Sequence, residues 1–341
     1  MRQEFDPTQP GQEEASAKRI RQRLGGIEFV GTGLNRPECV LCTNAGHWYS
    51  ADWRGGVAHG LPDGSQRLYQ GRISAERPLR PNGVALCADG SFLLADLGES
   101  EGGVFRLTRT GEVTPFLTEV HSEVLPPSNF VVQDRLGRTW ITVSTRLSPR
   151  SLGYNANCDD GFIVLVDDRG ARVVADGLGY TNECVIDAAG EYLYVNETFV
   201  RRLTRFRLQA DGSLTDRAIV AEFGPGTFPD GLAFDQRGNL WVTSIVSNRL
   251  ICVAPNGQQT VWIEDADPAH LEAVEKAWVA ASMGRPELDG IFSERLRNIS
   301  SLAFGGTDLH DGYLGCLLGE QIGKLRLPFA GLPPVHWHFD D

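Results

Sequence analysis

A unit of about 45 residues recurs along this chain, and no other feature of the sequence restricts its fold so severely. Residues 228–242 (FPDGLAFDQRGNLWV) and 180–194 (YTNECVIDAAGEYLY) superimpose without gaps. Residues 127–140 (PSNFVVQDRLGRTW) and 80–93 (RPNGVALCADGSFL) share their register, and weaker copies begin at Arg36 and Ile299. Anchored on Glu38, Asn82, Asn129, Asn182, Asp230 and Ser300, the six units are offset by 44, 47, 53, 48 and 70 residues. After each anchor comes an alternating apolar run, a Gly-containing turn, and a second run rich in Trp, Tyr or Leu, which is hairpin patterning. Three to four strands fit into each unit. An open sheet of more than twenty strands would present long unpaired edges, whereas radial closure leaves only short, protected ones. The spacing therefore predicts an all-β protein, a six-bladed β-propeller of four-stranded blades over residues 26–341 with a polar extension over residues 1–25.

Composition is compatible with a packed interior. Hydrophobic residues make up 41% of the 341 positions and charged residues 22%. Lys and Arg number 32 against 44 Asp and Glu, a net charge of −12, so the chain lacks the clustered positive surface that nucleic acid requires. No stretch is apolar enough to span a membrane, and the first 25 residues lack the apolar segment of a signal peptide, so a cytoplasmic address is expected. The seven cysteines are odd in number and scattered beside Val, Leu and Ile, as suits buried thiols in a reducing compartment. Cys39 and Cys42 have CxxC spacing, but with no second pair and no His at zinc-finger distance they read as packing residues. Helical periodicity is confined to residues 268–282, inside the long last offset, and to residues 13–24.

In a propeller the first strand of each blade lines the channel, so equivalent positions converge on the axis. Here they are oxygen donors: Glu38, Asn82, Asn129, Asn182 and Asp230, with Ser300 the sixth. Carboxylate and amide oxygens suit a hard divalent cation, and two carboxylates would balance its charge. Left alone in a channel, they would be poorly compensated. The competing reading is local: Asn82-Gly83 and Asp230-Gly231 are also what a tight turn prefers. A shared register across the repeats, including Glu38 and Asn182 that no Gly follows, favours a central metal site.

The segments Arg36-Pro37-Glu38, Arg80-Pro81-Asn82-Gly83-Val84, Ser128-Asn129, Thr181-Asn182 and Pro229-Asp230-Gly231-Leu232, with Leu240-Trp241-Val242, resemble the SMP-30/gluconolactonase/regucalcin family over about residues 26–330. The resemblance implies a six-bladed propeller with one divalent cation at its axis, most simply Ca²⁺, with Zn²⁺, Mn²⁺ or Mg²⁺ as substitutes. It implies Glu38, Asn182 and Asp230 as metal ligands, Asn129 as a further ligand or a substrate contact, and Asp230 as the general base. The chain departs from the family pattern at Cys39 and Glu183, where Gly is usual, and at Phe130, where a small or acidic residue is common.

The expected activity is hydrolysis of a small lactone, in which a cation polarises the carbonyl and Asp230 takes the proton from water. The partner is then a small molecule, bound by Asn129 and Asn82 and, as candidates outside the anchor ring, by Arg146, Tyr154 and His310. Arg146 and Tyr154 lie in an insertion over residues 144–161 that is long enough to cover the channel mouth. His47, His59 and His121 are further titratable groups that fit strand packing or surface positions as readily. Glu183, beside a proposed ligand, suits either a supporting carboxylate or an outward-pointing strand residue. The alternatives are a metal-dependent hydrolase or lyase acting on a phosphoester, an aryl ester or another small molecule, and a propeller that binds partners without catalysis. Gly31-Thr32-Gly33 lacks the Lys and helix of a phosphate loop, and no GxSxG elbow is present.

Overall fold

The computed structural model describes residues 10–339, and their side chains from residue 14 onward. Six four-stranded antiparallel sheets are arranged as the blades of a propeller. Their innermost strands are Val40–Cys42, Pro81–Leu86, Ser128–Gln133, Thr181–Ile186, Thr227–Phe234 and Ile299–Gly305, so every anchor falls within such a strand or, for Glu38, just before one. In blades one to five the sheet order follows the sequence. The sixth is completed from the other end of the chain. Its outermost strand is Glu28–Val30, paired antiparallel with Ile322–Arg326 through Glu28 opposite Lys324 and Val30 opposite Ile322. The repeat did not reveal that strand, because three residues carry no periodicity.

The turn joining the first two strands of a blade explains the repeated Asp and Gly. Asp134 accepts hydrogen bonds from the backbone N–H groups of Leu136 and Arg138, and its Oδ2 accepts from Trp140 Nε1 at 2.9 Å. Asp235 does the same for Arg237, Asn239 and Trp241. The turn glycines Gly90, Gly137, Gly190 and Gly238 have φ between 71° and 80°, where a side chain would be strained. Trp140 and Trp241 are fully buried between sheets, with Tyr49, Phe92, Ile163 and Leu193 in the same packed layers.

Asn82-Gly83 and Asp230-Gly231 do not form turns. Both lie inside inner strands, at a slip in register with the second strand, and similar slips occur at Asn129, Asn182 and Ser300. Such bulges re-aim a side chain, here at the anchor position of five blades. The glycines are needed because neighbouring inner strands touch. A Cβ on Gly231 would come within 2.4 Å of the Ser300 carbonyl oxygen, and one on Gly83 within 2.6 Å of Phe130 Cα.

Two helical excursions leave the blades at the anchor end. The first is a 3₁₀ turn, Arg150–Gly153, within the 144–161 insertion. The second, between blades five and six, contains a helix Pro268–Val279, capped by Asp267 accepting from His270 N at 2.7 Å, and a short helix Arg285–Asp289. An N-terminal helix, Pro10–Gly25, packs its end on blade five, where Arg23 lies over Trp262 at 3.4 Å.

Candidate metal and active site

Hydrogen bonds between blades fix the anchors before any ligand is considered. Asn82 Nδ2 donates to the Asn129 carbonyl at 3.0 Å, and Ser300 Oγ donates to the Glu38 carbonyl at 2.9 Å. Asn182 Nδ2 donates to Thr198 Oγ1 at 3.0 Å, which itself donates to the Pro229 carbonyl at 2.8 Å. Asn196 Nδ2 holds the Asp230 carbonyl at 3.0 Å. Because its nitrogen is committed to Thr198, the Asn182 amide leaves Oδ1 as the atom available to a ligand.

Glu38, Asn129, Asn182 and Asp230 line one small cavity on the axis, about 30 Å³, room for little more than one water or ion. All four are buried, at 3–5% exposure. Asn129 Oδ1 and Asn182 Oδ1 have no hydrogen-bond partner among the described residues. Glu38 Oε2 meets Arg36 Nη2 at 2.6 Å as a charge contact without hydrogen-bond geometry. Buried acceptors with nothing to accept are unfavourable, and three of them beside a second carboxylate form the oxygen-rich donor set that a hard divalent cation would satisfy. The residues present fit such an ion. Burial and the neighbouring Glu38 carboxylate hold the Asp230 carboxyl well above the usual carboxylate range, with Arg36, Arg150 and Asn182 opposing.

The structure sorts the remaining candidates. Tyr154 lines the cavity, so the insertion does reach over the axis. Asn82 and Ser300 are buried in the anchor ring but serve the bonds between blades and do not line the cavity. Arg146 is a correction: its guanidinium forms a two-pronged ion pair with Asp176, 2.9 Å on each prong, on an exposed part of blade three. His310 is another. It lies in the turn after Gly305, at the opposite end of its inner strand from Ser300, with Nδ1 beside the Leu327 carbonyl at 2.9 Å. His47 and His59 pack against each other and Tyr49 in blade one, and His121 sits in an outer hairpin. Glu183 points into the channel, where its Oε2 accepts from Leu232 N at 3.0 Å. Burial, then Asp230 and Glu38, push its carboxyl well up.

Sequence reasoning missed the basic side of the cavity. Arg36, Arg150 and Arg285 all line it, together with Tyr180 and Phe199. Arg36 is turned inward by a left-handed backbone, φ 53°, and lies over Trp53 at 4.5 Å. Burial works against the Arg150 charge, yet the Tyr180 and Tyr154 hydroxyls and Glu38 hold its pKa above the ordinary value. Burial likewise pushes the Tyr154 hydroxyl up, but Arg150 brings it down on balance. The signals in the sequence were the Arg-Pro pair before Glu38 and the length of the insertion.

Below the anchors, the same six strands enclose a second, larger cavity of about 490 Å³ lined by Cys39, Val84, Phe130, Cys184, Leu232 and Leu302, among others. All seven cysteines are free thiols, and burial raises those of Cys39 and Cys42.

Six four-stranded blades with acidic and amide side chains converging at one end of the axis define a propeller whose inner strands present a buried, oxygen-lined site. The chain belongs to the SMP-30/gluconolactonase/LRE-like family, whose profile matches residues 37–266. Solved structures share the fold at low identity. A gluconolactonase from Xanthomonas campestris is 18% identical with a TM-score of 0.63, covering 92% of this chain and 93% of the other. The calcium-binding protein regucalcin from Agrobacterium tumefaciens is 17% identical with a TM-score of 0.63, covering 89% and 96%. A luciferin-regenerating enzyme is 15% identical with a TM-score of 0.63, covering 91% and 98%. No curated protein matches the chain.

Proposed function

We propose that this protein is a divalent-cation-dependent hydrolase that opens a small lactone. The observation that carries the reading is the set of buried oxygens without hydrogen-bond partners, Asn129 Oδ1, Asn182 Oδ1 and Glu38 Oε2, gathered with Asp230 around one axial cavity. Family membership and the gluconolactonase and regucalcin folds support it. Glu38, Asn182, Asp230 and Asn129 would hold the ion, with Ca²⁺ the first choice for an all-oxygen set. When bound, such an ion supplies Lewis-acid polarisation of an ester carbonyl and acidifies a coordinated water.

The chain's own groups do the rest. Among the described residues, Asp230 is the only carboxylate at the cavity without a guanidinium pressed directly against it, which leaves it as the proton acceptor. Asn196 fixes its backbone, and the Asn182–Thr198–Pro229 chain fixes the neighbouring amide, so the oxygens are held before substrate arrives. Phe199, Leu288 and Leu317 close the cavity on the apolar side and limit water around the reacting bond.

The reading is tested by chelating the protein, then restoring Ca²⁺, Zn²⁺, Mn²⁺ or Mg²⁺ singly during assay against a panel of sugar and aliphatic lactones. Activity should vanish on chelation and return with one or two of these ions. Full activity in the chelated protein would overturn it.

A further inference from the structure

We propose that the substrate of this site carries an anionic group, most simply a carboxylate, which docks on Arg150 and Arg36. The inference rests on the hydrolase reading of the cavity and names the substrate class within it. The cavity carries two complementary sets of unpaired atoms. One is the acceptor set of Glu38, Asn129 and Asn182; the other is a donor set, Arg36 Nε and Arg150 Nη1, both buried and without a hydrogen-bond partner among the described residues. A cation cannot satisfy an N–H donor. Oxygens of an anion can, and a guanidinium offers its donors in the planar fork that a carboxylate fits.

Charge leads to the same substrate. Arg285 and Asp289 pair with each other at 2.8 Å and cancel. The remaining charged residues lining the cavity are Glu38, Asp230, Arg36 and Arg150, two carboxylates and two guanidiniums. With Glu183, which acts on Asp230 and Glu38 from just below, they sum to a single negative charge, so about half the charge of a bound divalent ion would be left over in a buried site. A neutral lactone leaves that excess uncompensated, whereas an anionic one reduces it. The two arginines are also held in place: the Arg36 side chain is only 9% exposed and rests on Trp53, and Arg150 comes from the 3₁₀ turn that the insertion carries over the axis. Beside them, Tyr154 stacks on Phe199 with ring centres 4.5 Å apart, and Tyr180 meets Phe199 edge-on at 4.7 Å, a wall for the apolar body of the substrate. A cavity of about 30 Å³ is too small for an organic acid, so part of its lining must move to admit one.

Two probes of matched shape test this. They are 5-oxotetrahydrofuran-2-carboxylate, a lactone with a carboxylate, and its neutral carboxamide, titrated calorimetrically into Ca²⁺-saturated full-length protein. The carboxylate should bind at least about 10-fold tighter than the carboxamide, in line with charge-assisted hydrogen bonds. In Arg150→Gln the preference should fall to within about 3-fold, with Arg150→Lys intermediate because it keeps charge but loses the fork. Equal binding of both probes to the unaltered protein, or a full preference surviving in Arg150→Gln, would overturn the proposal. The unaltered protein alone decides the first point should a variant fail to fold. Turnover is read separately. An arginine-dependent preference without ring opening would remove the lactonase reading and leave the anion site standing, and hydrolysis of neutral lactones without preference would do the reverse.

Discussion

The two halves of the axial channel are built from the same six strands and differ in almost everything else. At the anchor end, Glu38, Asn129, Asn182 and Asp230 close around a cavity of about 30 Å³. One or two residues further along each strand, Cys39, Phe130, Cys184 and Leu232 line a larger and mostly apolar space of about 490 Å³, which Glu183 also enters. In the blades of Asn129, Asn182 and Asp230 the switch from oxygen to carbon coincides with the register slips that aim the anchor inward, after which the strand resumes regular alternation. Polarity at the axis is thus set strand by strand and at one height. The lesson is that chemistry and stability should separate along the channel: substitutions at the anchors should affect turnover, and those below them should affect folding.

The sharpest way to break that separation is Asp230→Ala. Lactone kcat/KM should fall by about 1000-fold or more, the scale of a lost general base, while the far-ultraviolet spectrum stays native; undiminished turnover would remove Asp230 from the chemistry. At the other end, Leu302→Ala should cost about 2–5 kcal/mol in urea unfolding, as for other buried leucines, with kcat/KM within about 3-fold. Leu302 is only 5% exposed and packs with Ile299, Phe304 and Leu314.

A third test uses pH. His336, which lines the large cavity, has its pKa lowered to about 4 by burial, and its Nε2 has no partner among the described residues. The unfolded chain takes up a proton near the ordinary value of about 6.5, whereas the folded chain resists until about 4. Its contribution to stability is therefore present above about 6.5 and lost as pH falls toward about 4, by up to roughly 3 kcal/mol. His336→Gln should flatten the unfolding midpoint across that window without altering turnover at neutral pH; an unchanged slope would show that the imidazole is not held neutral. The smallest effect is expected from Arg146→Ala, which removes an exposed ion pair with Asp176. Stability should change by less than about 1 kcal/mol and kcat/KM should not change, whereas a marked loss would restore Arg146 to the site.

Much of this was readable in the sequence because propellers repeat. The offsets between anchors, the Asp and Gly of each inner turn, and the four residues that line the cavity all follow from one register. The helix at Pro268–Val279 was legible from its own cap and periodicity. What escaped was whatever a repeat does not encode. Arg36-Pro37 and Arg80-Pro81 occupy the same position in two units, yet Arg36 turns inward onto Glu38 while Arg80 reaches the exposed Glu99 at 3.4 Å. The difference is a left-handed backbone at Arg36, which composition does not announce. His310 was misplaced because the residues of a turn do not say at which end of a strand the turn lies. Arg146 and Arg150 sit four positions apart in one insertion, and only packing decides which of them faces the axis.

The pairing of Glu28–Val30 with Ile322–Arg326 makes the ring's integrity depend on residues nearly three hundred positions apart. During synthesis, five blades can stack while the chain is still tethered to the ribosome, but the annulus can be sealed only when the final hairpin emerges and finds a strand made at the outset. A protease that clips the chain before Ile27 would leave that seal in place; one that cuts just after Val30 would unfasten it, and the oxygen-lined end of the axis would lose its rigid frame with every side chain that lines it still present.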